Sequence, residues 1–361
     1  MTERSILIVG GYGEVGLRLA AKLEACAAGR VVVAGRHPER ARGPARFVDV
    51  DDPGSIERAL EGVDTVVACA RQRDAGLVRA AVHRGLAYTS IAPPWMPWRD
   101  LAPLREEARV TGARVVLAAG LEPGISSVLA RAAADRLGAV ESVESALLLG
   151  LGDLYGADSM AFIFEEVAQT YPIVIDGRAH DAHAFERPLR IEFPAPVGRR
   201  RAYTMPFRDQ LYYPETLGAR TAIARIALDP PWLGPALAVL LRTGLRSLLQ
   251  RGGPRGAVRG LVERLRGRYR GRDHYALVVE VRGDGRSVCA SLIGRQQADA
   301  TAAGVAAITE ALWSHEVSEA GVWLAEQVIT PGRFFARLAE QGLVPVIEEP
   351  GAVSQVSPLR A

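Results

Sequence analysis

Three glycines near the start of the chain have the spacing of a phosphate-binding loop. The sequence Gly-Tyr-Gly-Glu-Val-Gly at residues 11–16 follows the apolar run Ile6–Val9 and precedes a stretch with helical periodicity. In such a loop the first glycine permits a tight turn and the second lets the backbone approach a pyrophosphate. The third lets helix and strand pack closely, while the helix N-terminus faces the negative charge. We expect a dinucleotide to be bound by Gly11, Tyr12, Gly13, Glu14, Val15 and Gly16; the alternative is a glycine-rich turn without a ligand.

The end of the second predicted strand bears on the choice between NAD and NADP. NAD enzymes usually place an acidic residue there to bind the ribose hydroxyls, whereas this sequence reads Ala34-Gly35-Arg36-His37. The planar guanidinium of Arg36 suits a 2′-phosphate, which it can bind through two hydrogen bonds. We therefore expect NADP, with NAD as the less favoured cofactor. The alternative is that Arg36 is a solvated loop residue and that Glu39 takes the role of the acid.

Two further strand ends are expected to contact the cofactor. Asp49 and Val50 follow the third strand on the adenine side, although Asp49 and Asp51 equally suit an ordinary helix start. Cys69 and Ala70 follow the fourth strand. Because ligands of open α/β sheets bind outside the carboxyl ends of the strands, we expect these residues near the glycine loop.

Candidates for a proton donor lie in the middle of the chain. Hydride transfer needs a group that supplies a proton to the atom left anionic. His180 and His183, which flank Asp181, are the strongest titratable cluster there; a solvated loop is their alternative. Asp209 and Tyr212 belong to a polar and aromatic patch suited to lining a cleft. No metal site is predicted, since no Cys or further His stands near the His-x-x-His pair.

The alternation of apolar runs and helical stretches predicts an α/β protein with two parts. In the first 120 residues, strands are expected at Ile6–Val9, Val31–Ala34, Phe47–Val48, Thr65–Cys69, Leu86–Thr89 and Val115–Ala118, with helices near 14–28, 54–61, 75–84 and 100–112. Later residues predict a helix to about Leu137, strands near 142–150, 173–176, 188–193, 202–207 and 222–228, a hairpin of Tyr275–Val281 and Ser287–Ile293, and a helix over 297–313. The first part reads as an N-terminal Rossmann-type parallel sheet, and the second as an α+β domain of mostly antiparallel sheet.

Several motifs occur in an order known from one family. They are ILIVGGYGEVG, AGRHPERA, DVDD, VDTVVACA, RGLAYTSIAP, VVLAAGLEPGISSVLA and the late segment AGVWLAEQVITPGRFFARLAEQGL. On these motifs the chain resembles the saccharopine dehydrogenase-like family of NAD(P)-dependent reductases. The resemblance covers nearly the whole chain and is loosest over residues 151–270. One departure is clear: many relatives place an aspartate after the fifth-strand tyrosine, whereas Tyr88 is followed here by Thr89-Ser90, which disfavours an amine substrate.

The resemblance implies how the chain is divided. A Rossmann domain of residues 1–120 and 316–345 is expected to hold an inserted substrate and dimerisation domain of residues 121–315, so that a C-terminal segment returns to the parallel sheet before a tail of 346–361. Gly120, Pro123 and Gly124 are then expected at the cofactor cleft, where the helix that follows would present its N-terminus to a carboxylate or developing oxyanion. A rigid hinge is the other interpretation. A homodimer is also expected.

The composition limits the class of protein. The chain has 361 residues and a net charge of +3, which does not indicate a nucleic-acid binder. Residues 242–272 hold ten arginines and one acid, Glu263. That segment predicts an amphipathic helix with a solvated basic face, a contact with an acidic carrier protein or a membrane surface, or an apolar lid. Neither a signal peptide nor a transmembrane segment is predicted, and three scattered cysteines fit the cytoplasm.

These patterns together predict an NADP-dependent reductase. The expected substrate is a small molecule: a biosynthetic intermediate, large and apolar if the lid interpretation holds, that accepts a hydride at C=N or at an activated C=C or C=O. The single lysine, Lys22, lies in the first predicted helix, so a Schiff-base mechanism is disfavoured. The alternative function is a non-redox cyclase or isomerase that retains bound NADP(H). A third interpretation is a module that senses NADPH and binds a partner through the arginine-rich segment.

Overall fold

The computed structural model describes residues 5–26, 29–70, 72, 74–91, 101–153, 167–250, 260 and 273–348. In chain order, the elements are β1 (Ser5–Val9), α1 (Glu14–Ala25), β2 (Arg30–Gly35), β3 (Ala45–Phe47), α2 (Pro53–Ala59), β4 (Thr65–Ala68), α3 (Gly76–His83), β5 (Ala87–Ser90), α4 (Ala102–Thr111), β6 (Arg114–Leu117), α5 (Ile125–Ala134), β7 (Ser142–Gly150), β8 (Thr170–Ile175), β9 (Arg178–His183), β10 (Leu189–Phe193), β11 (Gly198–Thr204), α6 (Tyr213–Thr216), β12 (Thr221–Asp229), α7 (Leu233–Leu240), α8 (Arg246–Gln250), β13 (His274–Gly283), β14 (Arg286–Arg295), α9 (Gln297–Trp313), β15 (Gly321–Leu324), α10 (Ala325–Val328), α11 (Pro331–Glu340) and β16 (Val346–Glu348). They form two compact units, Met1–Val128 with Ala298–Gly342, and Leu129–Gln297 with Leu343–Ala361.

The first unit is built on a seven-stranded parallel sheet. Its strand order is β15-β6-β5-β4-β1-β2-β3. All five residues of β1 are buried, as expected for a strand with helices on both faces. The order reverses between β1 and β4, which is the topological switch point where open α/β sheets bind ligands. The predicted Rossmann-type sheet is thus confirmed. At the start of α2, Asp52 accepts a hydrogen bond from the N–H of Gly54 over 3.0 Å.

The division of the chain differs from the predicted one at the long alanine-rich helix. Most of α9 was predicted to lie in the inserted domain, but it belongs to the unit of the parallel sheet. Arg114 on β6 donates to the carbonyls of Leu312 and Val317 over 2.7 and 3.1 Å. Gly304 of α9 lies so close to the Ala119 carbonyl that a side chain there would come within 2.7 Å of it. These contacts, absent from any sequence pattern, hold α9 to the first sheet.

The second unit is built on a mixed sheet that is mostly antiparallel, as predicted. Its main strand order is β10-β11-β12-β7-β13-β14-β16, and β8 and β9 extend it from β12. Only one of its neighbouring pairs in the described part of the chain, β12 with β7, is parallel. Two strands were not predicted: β9, and β16, which pairs with β14 and lies where a tail from residue 346 was expected.

A buried ion pair lies in the second sheet. Arg225 on β12 has no solvent exposure, and its Nη1 donates to Glu144 on the neighbouring strand β7. The pair shares a face with an apolar cluster of buried residues on that sheet that includes Ala146, Leu148 and Ala227. A buried charge needs such a partner, because removal from water disfavours the ionised form by several kcal/mol.

The stability of the second unit is therefore expected to depend on Glu144. Glu144→Gln leaves the Arg225 charge without its counter-ion, and we expect it to lower the free energy of unfolding by about 3 kcal/mol. The control is Glu192→Gln, because Glu192 pairs with Arg199 at the surface, and it should cost under about 1 kcal/mol. Urea denaturation measures both. Equal losses in the two variants would contradict the role given to the buried pair.

The basic segment begins in a helical region and then leaves the described part of the chain. Between α7 and α8, Leu241–Leu245 forms a wider helical turn. Arg242 is exposed, but Arg246 pairs with Glu186 over 3.0 Å and so does not contribute a free charge. The remaining eight arginines of the 242–272 segment lie outside the described residues. Within the ranges that are described, no helix has the length and apolar character to cross a bilayer.

Candidate dinucleotide site

The turn from β1 to α1 leaves the helix N-terminus open. The N–H of Gly10 donates to the Ala34 carbonyl on β2 over 2.7 Å, and the N–H of Gly13 donates to the Gly10 carbonyl over 3.0 Å. Gly13 is the N-cap residue, and no side chain caps the helix. The N–H groups of Glu14, Val15 and Gly16 have no acceptor among the described residues. Three open donors at a helix N-terminus can bind an anion such as a pyrophosphate.

The glycines of this turn have different physical reasons to be glycine. A Cβ at Gly11 would lie 2.6 Å from the Val33 side chain, and one at Gly16 would press on the backbone of Gly10 and Gly11. Both are required by packing within the protein. A Cβ at Gly13 would meet only the Gly10 carbonyl, at 3.2 Å, and Gly13 itself is exposed. Packing within the described part of the protein therefore does not require a glycine at position 13 as it does at positions 11 and 16.

The end of β2 presents the predicted cation. Arg36 is exposed, and no hydrogen bond or ion pair engages its side chain within the described ranges. Glu39, the alternative ribose ligand, is bound by Nδ1 of His37 over 3.1 Å. Tyr12 does not point away from the protein; its hydroxyl accepts a hydrogen bond from the N–H of His37 over 2.7 Å. This end of the strand thus presents an exposed guanidinium that no described residue engages and an exposed carboxylate, one oxygen of which contacts His37.

The residues after β3 and β4 offer the candidate site mainly packing surface and few free polar groups. Oδ1 of Asp49 accepts from the N–H of Asp51 over 3.1 Å, so the Asp49 carboxylate already stabilises the turn before α2. Val50 lines one end of a groove of about 340 Å³ between α2 and α3. At the end of β4, Ala70 lies against Gly10, where an added Cβ would come within 2.8 Å of the Ala70 nitrogen. Burial raises the pKa of the Cys69 thiol to about 12, so Cys69 is a neutral neighbour of the loop.

The turn from β6 to α5 corrects one expectation. Gly120, Pro123 and Gly124 are buried, and a side chain at Gly124, where φ is +132°, would strike the backbone of Gly120. The N–H groups of Ile125 and Ser126, the first in α5, donate to the Gly120 and Leu121 carbonyls over 2.8 and 3.1 Å. The expected open N-terminus is therefore already hydrogen-bonded at these two donors. At the start of α1, by contrast, the N–H groups of Glu14, Val15 and Gly16 have no acceptor among the described residues.

Polar groups lie at the carboxyl end of β5, and one of them, the Gln72 amide, was not predicted from the sequence. Tyr88, Thr89 and Ser90 are buried, and Oγ1 of Thr89 has no hydrogen-bond partner among the described residues. Gln72, in the loop after β4, donates to the Tyr88 hydroxyl over 3.0 Å. Burial raises the pKa of Tyr88 well above its usual range, so it remains a neutral phenol. An amide in a loop has no periodicity or titratable group that would have singled it out.

The two histidines of the second unit do not form one cluster. They lie three positions apart on β9, so their side chains leave opposite faces of the strand. His180 is exposed, whereas Nε2 of His183 contacts Oγ1 of Thr170 over 3.1 Å. Nδ1 of His183 also lies 3.7 Å from Glu186. The predicted cluster is therefore not formed, because the run is a strand that sends the two side chains to opposite faces, and neither a strand nor its alternation was predicted here.

The other two catalytic candidates are buried within the second unit. Asp209 and Tyr212 have solvent exposures of 1% and 2%. Oδ2 of Asp209 accepts a hydrogen bond from the hydroxyl of Tyr213 over 3.0 Å. Gln210, the neighbour of Asp209, binds the Met205 and Phe207 carbonyls and the N–H of Ala224. This network braces the turn before α6 against β12. Across the described residues, no group of three or more His, Cys, Asp or Glu is arranged to hold a metal ion.

Comparison with known proteins places this geometry in a fold. No family model matches the chain, and no curated protein matches it. The apo, histidine-tagged saccharopine dehydrogenase (L-Glu forming) from Saccharomyces cerevisiae aligns with 96% of this chain and 100% of its own, at a TM-score of 0.68 and 15% identity. This chain has the saccharopine dehydrogenase-like fold. The C. glutamicum DAP dehydrogenase in complex with DAP aligns with 92% of the chain and 96% of its own, at a TM-score of 0.45 and 14% identity. The resemblance expected from the motifs is confirmed at the level of the fold.

The two kinds of glycine make a testable contrast. Gly13→Ala should fold with nearly the stability of the wild type, because only one carbonyl must move, but should weaken NADPH binding about tenfold or more. Gly16→Ala should lower the free energy of unfolding by about 1–3 kcal/mol, because its Cβ would press on backbone atoms on two sides. Calorimetric titration and urea denaturation measure the two effects. Unchanged NADPH affinity in Gly13→Ala would contradict this assignment of the loop.

Cys26 is expected to remain a protonated thiol near neutral pH, and its rate of alkylation should show this. Partial desolvation and then the hydrogen bond to Glu310 raise the pKa of the Cys26 thiol to about 11. Alkylation of the Cys26 peptide, followed by mass spectrometry, should therefore still accelerate at pH values well above the pKa of free cysteine. Glu310→Gln removes a negative charge and should shift the midpoint of that profile downward. A wild-type midpoint at the value of free cysteine would contradict the assignment.

Proposed function

We propose that this chain is an NADP-dependent reductase. The observation that carries the proposal is the open N-terminus of α1, where three N–H groups with no acceptor in the described part of the chain adjoin an exposed glycine. It lies at the switch point of a parallel sheet, where folds of this kind bind dinucleotides. The residues present thus fit a dinucleotide: the N–H groups of Glu14, Val15 and Gly16 would bind its pyrophosphate, and Gly13 would leave space for it. The cofactor would supply the hydride, and the protein would supply orientation and a proton.

The choice of NADP rests on Arg36. Its guanidinium is exposed and unengaged by the described residues, whereas Glu39 is bound by His37. A free guanidinium can form two charge-assisted hydrogen bonds with a 2′-phosphate. Asp49, Val50, Cys69 and Ala70 would line the adenine side and the neighbouring strand ends, and Gly120, Pro123 and Gly124 would contribute shape from the end of β6.

The proposed substrate is a biosynthetic intermediate, large and apolar if the lid interpretation holds, reduced at C=N or at an activated C=C or C=O. The solved yeast protein is named a saccharopine dehydrogenase, and we take from that name the type of reaction and not the substrate. Thr89 and Ser90 stand where many relatives carry an aspartate, which disfavours an amine. Of the four candidate proton donors, the more accessible His180 and His183 fit the role better than buried Asp209 and Tyr212.

One observation favours a second candidate function. The end of β5 offers hydroxyl and amide groups but no carboxylate among Gln72, Tyr88, Thr89 and Ser90. Such a site can orient a substrate without exchanging protons with an amine. A non-redox cyclase or isomerase that retains NADP(H) is the alternative. A homodimer, a cytoplasmic location and an acidic carrier or membrane contact at 242–272 remain predictions of the sequence.

Absorbance of NADPH decides between the two functions. The full chain is incubated with NADPH and a panel of imines, enones and aldehydes, and both the cofactor and the products are followed. A reductase oxidises one NADPH for each product molecule. Product that forms while NADPH stays constant would support the cyclase or isomerase instead. Gly13→Ala is the control, since it should depress the reaction in either case.

Cofactor selectivity tests the role of Arg36 separately. Arg36→Ala should weaken NADPH binding about 10- to 100-fold, because charge-assisted hydrogen bonds to the 2′-phosphate are lost. Binding of NADH, which lacks that phosphate, should not change. Calorimetric titration of both cofactors provides the measurement. If neither cofactor loses affinity, Arg36 is a solvated loop residue, and if both lose affinity equally, Arg36 does not recognise the 2′-phosphate. Either result overturns the choice of NADP.

A further inference from the structure

The side chain of Tyr12 joins two loops of the candidate site. Tyr12 lies in the glycine turn after β1, and its hydroxyl accepts a hydrogen bond from the N–H of His37, beyond the end of β2, over 2.7 Å. The side chain is half-buried. A residue of the pyrophosphate loop therefore contacts the loop that chooses between NAD and NADP.

The last residue of β2 is shaped to receive the tyrosine ring. A Cβ added at Gly35 would lie 2.6 Å from Cζ of Tyr12 and closer still to its hydroxyl oxygen. No real side chain tolerates such contacts, so only glycine at position 35 leaves space for the phenol. The φ angle of Gly35 is not in the left-handed region. The reason for this glycine is the ring of Tyr12 and not a turn.

These two contacts hold the backbone on either side of Arg36. Gly35 packs under the ring, and His37 donates to its hydroxyl. The Arg36 side chain between them is exposed, and no partner engages it in the ranges that the structure describes. Nδ1 of His37 meanwhile lies 3.1 Å from Oε1 of Glu39. A long cationic side chain binds an anion more tightly when its backbone is fixed beforehand, because less conformational entropy is lost.

We propose that Tyr12 is a positioning residue that sets the preference for NADP by fixing Arg36 for the 2′-phosphate. The inference rests on the proposed function, because it requires Arg36 to bind that phosphate. It adds that selectivity depends on a residue of the pyrophosphate loop, through the Gly35 space and the His37 N–H. Tyr12 acts through Arg36, so its effect is confined to ligands that carry the 2′-phosphate.

The test is a double-mutant cycle on two small ligands. Adenosine 2′,5′-bisphosphate and adenosine 5′-monophosphate differ only in the 2′-phosphate, so calorimetric titration of both isolates that group. Tyr12→Phe keeps the ring and removes the hydroxyl. It should weaken the bisphosphate about three- to tenfold, the range of one hydrogen bond, and leave the monophosphate unchanged. In an Arg36→Ala background, Tyr12→Phe should have no further effect.

A second variant tests the same contact if Tyr12→Phe changes the affinity for the bisphosphate only slightly. Gly35→Ala places a Cβ in the space of the ring and should give the same selective loss by displacing Tyr12. Far-ultraviolet circular dichroism and urea denaturation check that each variant is folded.

Several outcomes would overturn the inference. An equal loss for both ligands would make Tyr12 a structural residue of the loop, and an effect that persists without Arg36 would make it a direct ligand. No loss in either Tyr12→Phe or Gly35→Ala would mean that neither contact matters. If Arg36→Ala itself spares the bisphosphate, the choice of NADP falls together with the inference, whereas a selective Arg36→Ala with an indifferent Tyr12→Phe overturns the inference alone.

Discussion

The close approach of β1, β2 and β4 at one glycine turn is the constraint on which the candidate site depends. The N–H of Gly10 donates to the Ala34 carbonyl of β2. Gly10 also lies so close to the backbone of Ala70, after β4, that a side chain at position 10 would not fit. With Gly16 packed on the same turn, α1 must begin directly at the end of the sheet. Its first N–H groups consequently face outward, without a side-chain cap. An uncapped helix start is a cost that an anion offsets, and the same turn presents Tyr12 to the loop of Arg36.

The two compact units handle polar groups in different ways. The first unit leaves donors open at the end of its sheet, whereas the second engages many of its polar groups internally. Arg225 pairs with Glu144, Asp209 binds Tyr213, and Arg246 binds Glu186. Such groups specify the structure of a sheet rather than react, because each is already compensated by a neighbour.

The helices and strands were predicted well where their buried residues recur with a clear helical or strand spacing. The strand near 142–150 and the helix over 297–313 were found with their predicted bounds, and the parallel sheet was recognised from its continuous apolar runs. Strand β9 was missed because its side chains are mostly exposed, so Arg-Ala-His-Asp-Ala-His shows no apolar alternation. That omission also made His180 and His183 look like one cluster. The closed start of α5 and the contact of Tyr12 with His37 depend on backbone hydrogen bonds between distant residues, which no local pattern reveals.

A crystal structure of the full chain with NADPH tests the central claim most directly. The pyrophosphate oxygens are expected within hydrogen-bond distance of the N–H groups of Glu14 or Val15. The pyrophosphate should also contact the backbone of Gly13 directly. The 2′-phosphate is expected to lie against the Arg36 guanidinium, while Tyr12 keeps its contact with His37. Pyrophosphate density at any other place would contradict the assignment of this turn. So would an empty start of α1 in a crystal grown with a saturating concentration of NADPH.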